Sequence, residues 1–141
     1  SCNPNFAKIF IENKEQFELN RSIFNNVIID IEKTFVKNWD RQKDLIIQVD
    51  SLNEQTKKTL TDLGIGSIEL TNNPNNNCDK NYWITLNVVD DWNIGTLRVV
   101  QLVYAPCDKN AEKNYHYSDG YHRDFWGQGD NWFIYSDTDF I

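Results

Sequence analysis

"NYWITLNVVDDWNIGTLRVVQLVYA" (residues 81–105) holds two runs rich in β-branched and aromatic residues, separated by the short polar link "DDWNIG". Runs of that kind on either side of a turn read as a β-hairpin. With the turn centred between Trp92 and Asn93, Val88 faces Leu97, Leu86 faces Val99 and Tyr82 faces Val103. Extending the ladder outward brings Cys78 opposite Cys107. Facing residues of an antiparallel pair have Cβ atoms about 4.5–5.5 Å apart, close to what a disulfide spans. Each cysteine opens a "CDKN" tetrapeptide, but the flanking sequences differ, so the repeat carries no sign of duplication. A zinc site needs three or four Cys or His ligands at close spacings, and neither cysteine has them. The expectation is a cross-hairpin disulfide closing a loop of about 30 residues, worth roughly 3–4 kcal/mol and requiring an oxidising compartment.

Upstream, Phe10, Phe17, Phe24 and Ile31 recur every seventh position, with Phe6, Ile28 and Phe35 on the same stripe. That spacing predicts a long amphipathic helix over residues 5–36, built to pack on a sheet. "DLIIQVD" (44–50) reads as a strand. Ser51 and Glu54 match a capping box before "QTKKTLTDLG", and Gly64 stands where a helix C-cap belongs, predicting a short second helix. "SIELT" (67–71) is another strand and "NNPNNN" (72–77) a loop. The sequon Asn20-Arg21-Ser22 falls inside the long helix and is discounted.

The chain from Tyr104 onward carries 10 of the 19 aromatic residues and both histidines. Asp119-Gly120 marks a hairpin turn, and Gly127 and Gly129 a second. Two or three further strands are expected there. Neighbouring aromatics such as Phe125-Trp126 and Trp132-Phe133 point to opposite faces of a strand, so some rings reach solvent. Trp126, Trp132, Tyr121, His116 and His122 are the candidate binding residues, since flat amphipathic rings beside polar groups suit a glycan or a protein. A two-residue turn at Asp119-Gly120 sets the two histidines on opposite faces. A three-residue turn would instead allow a hydrolytic or metal site from His116, Asp119, His122 and Asp124.

The 141 residues form one domain by length, with residues 1–5 as a tether and 6–141 as the folded unit. The fold class expected is α+β: a long N-terminal helix and a short second helix on a mainly antiparallel sheet of five to seven strands. A net charge of −7, with no basic run, argues against nucleic acid as a partner. No signature of a hydrolase, P-loop or dinucleotide site occurs, and no cofactor or metal is expected. The disulfide leaves Cys2 as the odd cysteine. "SCNPNF" resembles the mature start of a bacterial lipoprotein, where the cysteine following the signal peptide carries the lipid. That resemblance implies a membrane attachment through a lipid on Cys2 alone, and a periplasmic or cell-surface address. The function expected is a lipid-anchored binding domain without catalysis, recognising a protein partner, in the manner of an immunity or inhibitor protein, or a glycan.

Overall fold

The computed structural model describes residues 4–74, 78–88 and 96–140, with side chains described outside residues 4–12, 96–98 and 138–140. The chain divides into two compact units, Ser1–Lys37 and Asn38–Ile141. Cys2, and the turn expected between Trp92 and Asn93, lie outside the described residues, as do the side chains of Phe6 and Phe10.

The first unit is helix α1, Pro4–Thr34. Phe17, Phe24, Ile28 and Ile31, all on the stripe that the seven-residue spacing marks, are buried, and Val27 is buried beside them. Phe17 and Phe24, two turns apart, stack with ring centroids 5.7 Å apart. Phe35 lies past the helix end, in a turn. Asn20 is helical, and its side chain donates to the Gln16 carbonyl oxygen at 2.9 Å.

Among the described residues the second unit holds helix α2 (Glu54–Asp62) and seven strands: β1 Leu45–Gln48, β2 Ile65–Asn72, β3 Tyr82–Val88, β4 Thr96–Tyr104, β5 His116–Ser118, β6 Arg123–Gly129 and β7 Trp132–Phe140. All pairings are antiparallel, in the order β1-β2-β3-β4-β7-β6-β5. The α+β class therefore holds, with the strand number at the top of the expected range. The N-cap of α2 is Asn53, not Ser51: Asn53 Oδ1 accepts from the Thr56 N–H at 2.9 Å, whereas Ser51 Oγ donates to the Gln48 carbonyl. Gly64, at φ +79°, closes the helix in the left-handed conformation that its position called for.

The hairpin forms, but its register differs from the expected one. Leu86 pairs with Leu102 rather than Val99, a displacement of three residues along β4. An odd displacement exchanges the faces of one strand relative to the other. Tyr82, Ile84 and Leu86 therefore share a face with Val100, Leu102 and Tyr104, and all six are buried. The same face continues through Ile47 of β1, Ile68 and Leu70 of β2, and Trp132 and Ile134 of β7, each at most 5% exposed. The apolar residues of "VVQLVYA" fall on both parities, so either register buries hydrophobic side chains. The turn carries no Asn-Gly or Asp-Gly pair to decide between them.

Cys78 and Cys107 form a disulfide nonetheless, with Cα atoms 6.1 Å apart. In the true register they are not opposite one another. Both lie beyond the β3–β4 ladder, where the chain has left the strands, and Cys107 turns back with φ +61°. A bridge of this kind persists in an oxidising compartment, and the protein is accordingly non-cytoplasmic. Among the described residues no helix is long and apolar enough to cross a membrane.

After β4 the chain does not turn directly into its neighbour β7. It runs through a bridge, residues 105–115, to the edge strand β5 and returns through β6 and β7. The bridge, which contains a 3₁₀ turn at Lys109–Ala111, lies on the face opposite the buried one. There Val103, Ala105, Ala111 and Phe133 make a small core flanked by Trp83, Phe125 and Tyr135. Gly127 is what lets the bridge settle: a Cβ at this position would stand 1.8 Å from the Glu112 carbonyl oxygen. The Gly127 N–H donates to the Tyr115 carbonyl at 2.7 Å, tying the bridge to β6.

Candidate functional site

Antiparallel partners share a face, so the pairings can be followed across the whole sheet. Ser67 of β2 pairs with Asn87 of β3, Asn87 with Gln101 of β4, Gln101 with Tyr135 of β7, Tyr135 with Phe125 of β6, and Phe125 with Tyr117 of β5. Six side chains thus form one row on the face opposite the buried one. At about 4.8 Å between strands, the row is about 24 Å long. The bridge bounds it on one side, over Val103 and Phe133.

The two halves of the row differ in chemistry. In the first, Asn87 Nδ2 donates to Ser67 Oγ at 3.1 Å and Gln101 Nε2 donates to Asn87 Oδ1 at 2.8 Å. In the second, the rings run together, with centroids 4.9 Å apart for Phe125 and Tyr135 and 5.9 Å for Tyr117 and Phe125. Behind them Phe125 meets Phe133 at 5.7 Å, and Phe133 meets Trp83 edge-on at 5.6 Å. Tyr117 is half exposed, while the other members are partly buried.

On the side away from the bridge the row is edged by Asp137. Its Oδ1 stands 2.5 Å from His122 Nδ1, its Oδ2 accepts from the Tyr135 hydroxyl at 3.1 Å, and Arg123 Nε lies 4.0 Å from Oδ2. Burial and the adjacent Asp137 charge push the Tyr135 phenol up to about 12. His122 stands in the β5–β6 loop, which Asp119 organises. Asp119 Oδ1 accepts from the N–H groups of Tyr121, His122 and Arg123 at 2.9, 3.1 and 3.1 Å. These bonds, that from Tyr121 foremost, hold the Asp119 carboxyl below its ordinary range against a smaller upward push from desolvation.

The loop is longer than expected. Ser118 pairs with Asp124, leaving five residues between them, so neither a two- nor a three-residue turn describes it. The cluster of His116, Asp119, His122 and Asp124 does not assemble. His116 Nε2 meets Asp124 Oδ1 at 3.1 Å, His122 meets Asp137, and Asp119 is taken up by the loop backbone. Asp124 and Asp137 belong to opposite faces, because Asp124 pairs with Ser136 and Asp137 with Arg123. Among the described residues no three Cys, His, Asp or Glu side chains gather as metal ligands.

The other candidate binding residues also separate. Trp132 is fully buried and packs edge-on with Tyr104 at 5.6 Å; it belongs to the core and not to a surface, because β7 runs through the middle of the sheet. Trp126 stacks on His116 at 5.5 Å and 6°, on the face away from the row. Tyr121, 83% exposed, is in the loop. No member of the row was among the candidate binding residues, and the two furthest from expectation are Asn87 and Gln101. Their signal was present, since each is a polar residue interrupting a strand that is otherwise mostly apolar. A separate cleft of about 370 Å³ opens between Cys107-Asp108 of the bridge and Gly129–Asn131, away from the row.

Comparison with protein-family models, with curated proteins and with solved structures finds no match for this chain.

Proposed function

We propose that this protein is an extracytoplasmic bacterial binding domain, without chemistry of its own, that engages a protein or glycan through the row from Ser67 to Tyr117. The observation that carries the reading is the row itself. A sheet face that merely closed a core would be uniformly apolar, whereas this one sets three rings in line with three hydrogen-bonding side chains and leaves them partly exposed. Attachment through a lipid on Cys2, after removal of a signal peptide, would hold that face at the periplasmic or outer surface. The non-cytoplasmic address implied by the Cys78–Cys107 disulfide supports this.

The experiment is adsorption of the soluble domain to isolated bacterial envelopes. Saturable adsorption is expected, falling about fivefold or more when Tyr117→Ala and Gln101→Ala are combined, an effect of roughly 1 kcal/mol. Equal adsorption by the wild type and the double variant would refute the reading. In cells, the wild type should stay with the membrane fraction and Cys2→Ala should be released; retention of Cys2→Ala would remove the lipid anchor.

A further inference from the structure

The division of the row into amides and rings specifies a ligand more closely than "protein or glycan". Asn87 commits one N–H to Ser67 and its Oδ1 to Gln101, Gln101 commits one N–H to Asn87, and a primary amide has four such sites. Gln101 keeps its Oε1 as an acceptor, and both residues keep a second N–H. Beside them, Tyr135, Phe125 and Tyr117 present ring surface tilted by 47° and 58° between successive members, so the aromatic half is a stepped strip rather than one flat plate.

Charge separates the two partner classes. The protein carries −7, yet the row contains no acidic or basic side chain. The carboxylate on its margin, Asp137, is already shared among His122, the Tyr135 hydroxyl and Arg123. Within the row a basic protein steered by the net charge finds no acid to complete the attraction, Glu69 being two residues along β2 from Ser67 on the same face. A neutral sugar chain has what this surface lacks. Its C–H faces cover ring surface and its hydroxyls both donate and accept toward amides. A length of about 24 Å, across strands rather than along one, suits a chain of several units and does not suit strand addition by a peptide.

We infer that the row binds a neutral oligosaccharide lying across β3, β4, β7, β6 and β5, stacked on Tyr135, Phe125 and Tyr117 and hydrogen-bonded by Asn87 and Gln101. The inference rests on the reading of this face as the binding surface. It is tested by calorimetric titration of the soluble domain with neutral hexasaccharides of the cello-, xylo-, manno- and chito-series, at low and high salt. Saturable binding to at least one series is expected, unchanged by salt because no charge is involved. Affinity should fall about tenfold in Tyr117→Ala and again in Gln101→Ala, the scale of one lost anchor. Both variants should keep the wild-type circular dichroism spectrum and stay fully folded at the titration temperature, with the unfolding midpoint lowered only in Gln101→Ala, which also removes the hydrogen bond to Asn87. Absence of saturable binding across the panel overturns the inference, as does binding that neither substitution weakens. If the panel fails while envelope adsorption still depends on Tyr117 and Gln101, the oligosaccharide is wrong and the binding face stands; if neither assay responds to these substitutions, both fall.

Discussion

Strand β7 shows two kinds of aromatic use within four residues. Trp132 and Ile134 enter the buried face, while Phe133 and Tyr135 enter the row face. The buried face is closed: Ile68, Leu70, Ile84, Leu86, Trp132 and Ile134 are each no more than 1% exposed. The row face is graded instead, from buried Phe133 beneath the bridge, through partly exposed Tyr135 and Phe125, to Tyr117 at the edge. Composition alone would treat these rings as equivalent. Their roles differ because the pleat alternates direction at every residue and the bridge covers only part of one face.

The comparison predicts unequal costs for similar truncations. Trp132→Ala should lower unfolding free energy by about 3–5 kcal/mol, since it empties a fully enclosed site, whereas Tyr117→Ala should stay within about 0.5 kcal/mol of wild type. Urea unfolding midpoints measure both. Similar losses would erase the distinction between the faces. Gly127→Ala is aimed at the bridge, because the new methyl would drive against the Glu112 carbonyl. A loss of about 1–3 kcal/mol is expected, with hydrogen-exchange protection falling first at the Gly127 amide that bonds Tyr115. Uniform loss of protection over the whole sheet would instead mean that the bridge is not a separable cover.

The smallest effect is on pH dependence. Tyr135 ionises at about 12 in the folded protein against 10.0 for a free phenol, first because of burial and then because of Asp137. A folded-state value above the unfolded one means that this contribution to stability is complete below about pH 10 and is lost as the pH rises through about 12. A tyrosinate absorbance step near pH 12 should disappear in Tyr135→Phe, and the variant should lose less stability across that interval than wild type. An unchanged step would mean that another tyrosine, and not Tyr135, is the phenol whose ionisation is pushed up.

Much of the architecture was legible from short-range pattern. The strands at 44–50, 67–71, 81–89 and 96–105 show their β-branched runs, the long helix its seven-residue stripe, and Gly64 its C-cap, because each signal depends on residues within a turn or two. Cap choice at α2 was less legible. Ser51 and Asn53 both offer a side-chain oxygen, and the 3₁₀ turn at Val49–Ser51 uses Ser51 before the helix begins. The candidate site was legible as an aromatic-rich tail and not as a surface. Of the rings singled out, Trp132 went to the core and Trp126 to the other face, while Asn87 and Gln101 came from strands that the tail does not contain.

Local pattern in the chain was enough to specify an α+β fold with an antiparallel hairpin at its centre and two cysteines near the hairpin's ends. These follow from local periodicity and from the reach of a disulfide. The register, the placement of β7 between β4 and β6, and hence the six side chains that stand in one row, emerge from long-range pairing. Strand pairing joins residues as far apart as Ser67 and Tyr117 through hydrogen bonds that no local pattern encodes, and a displacement of three residues is enough to exchange the faces.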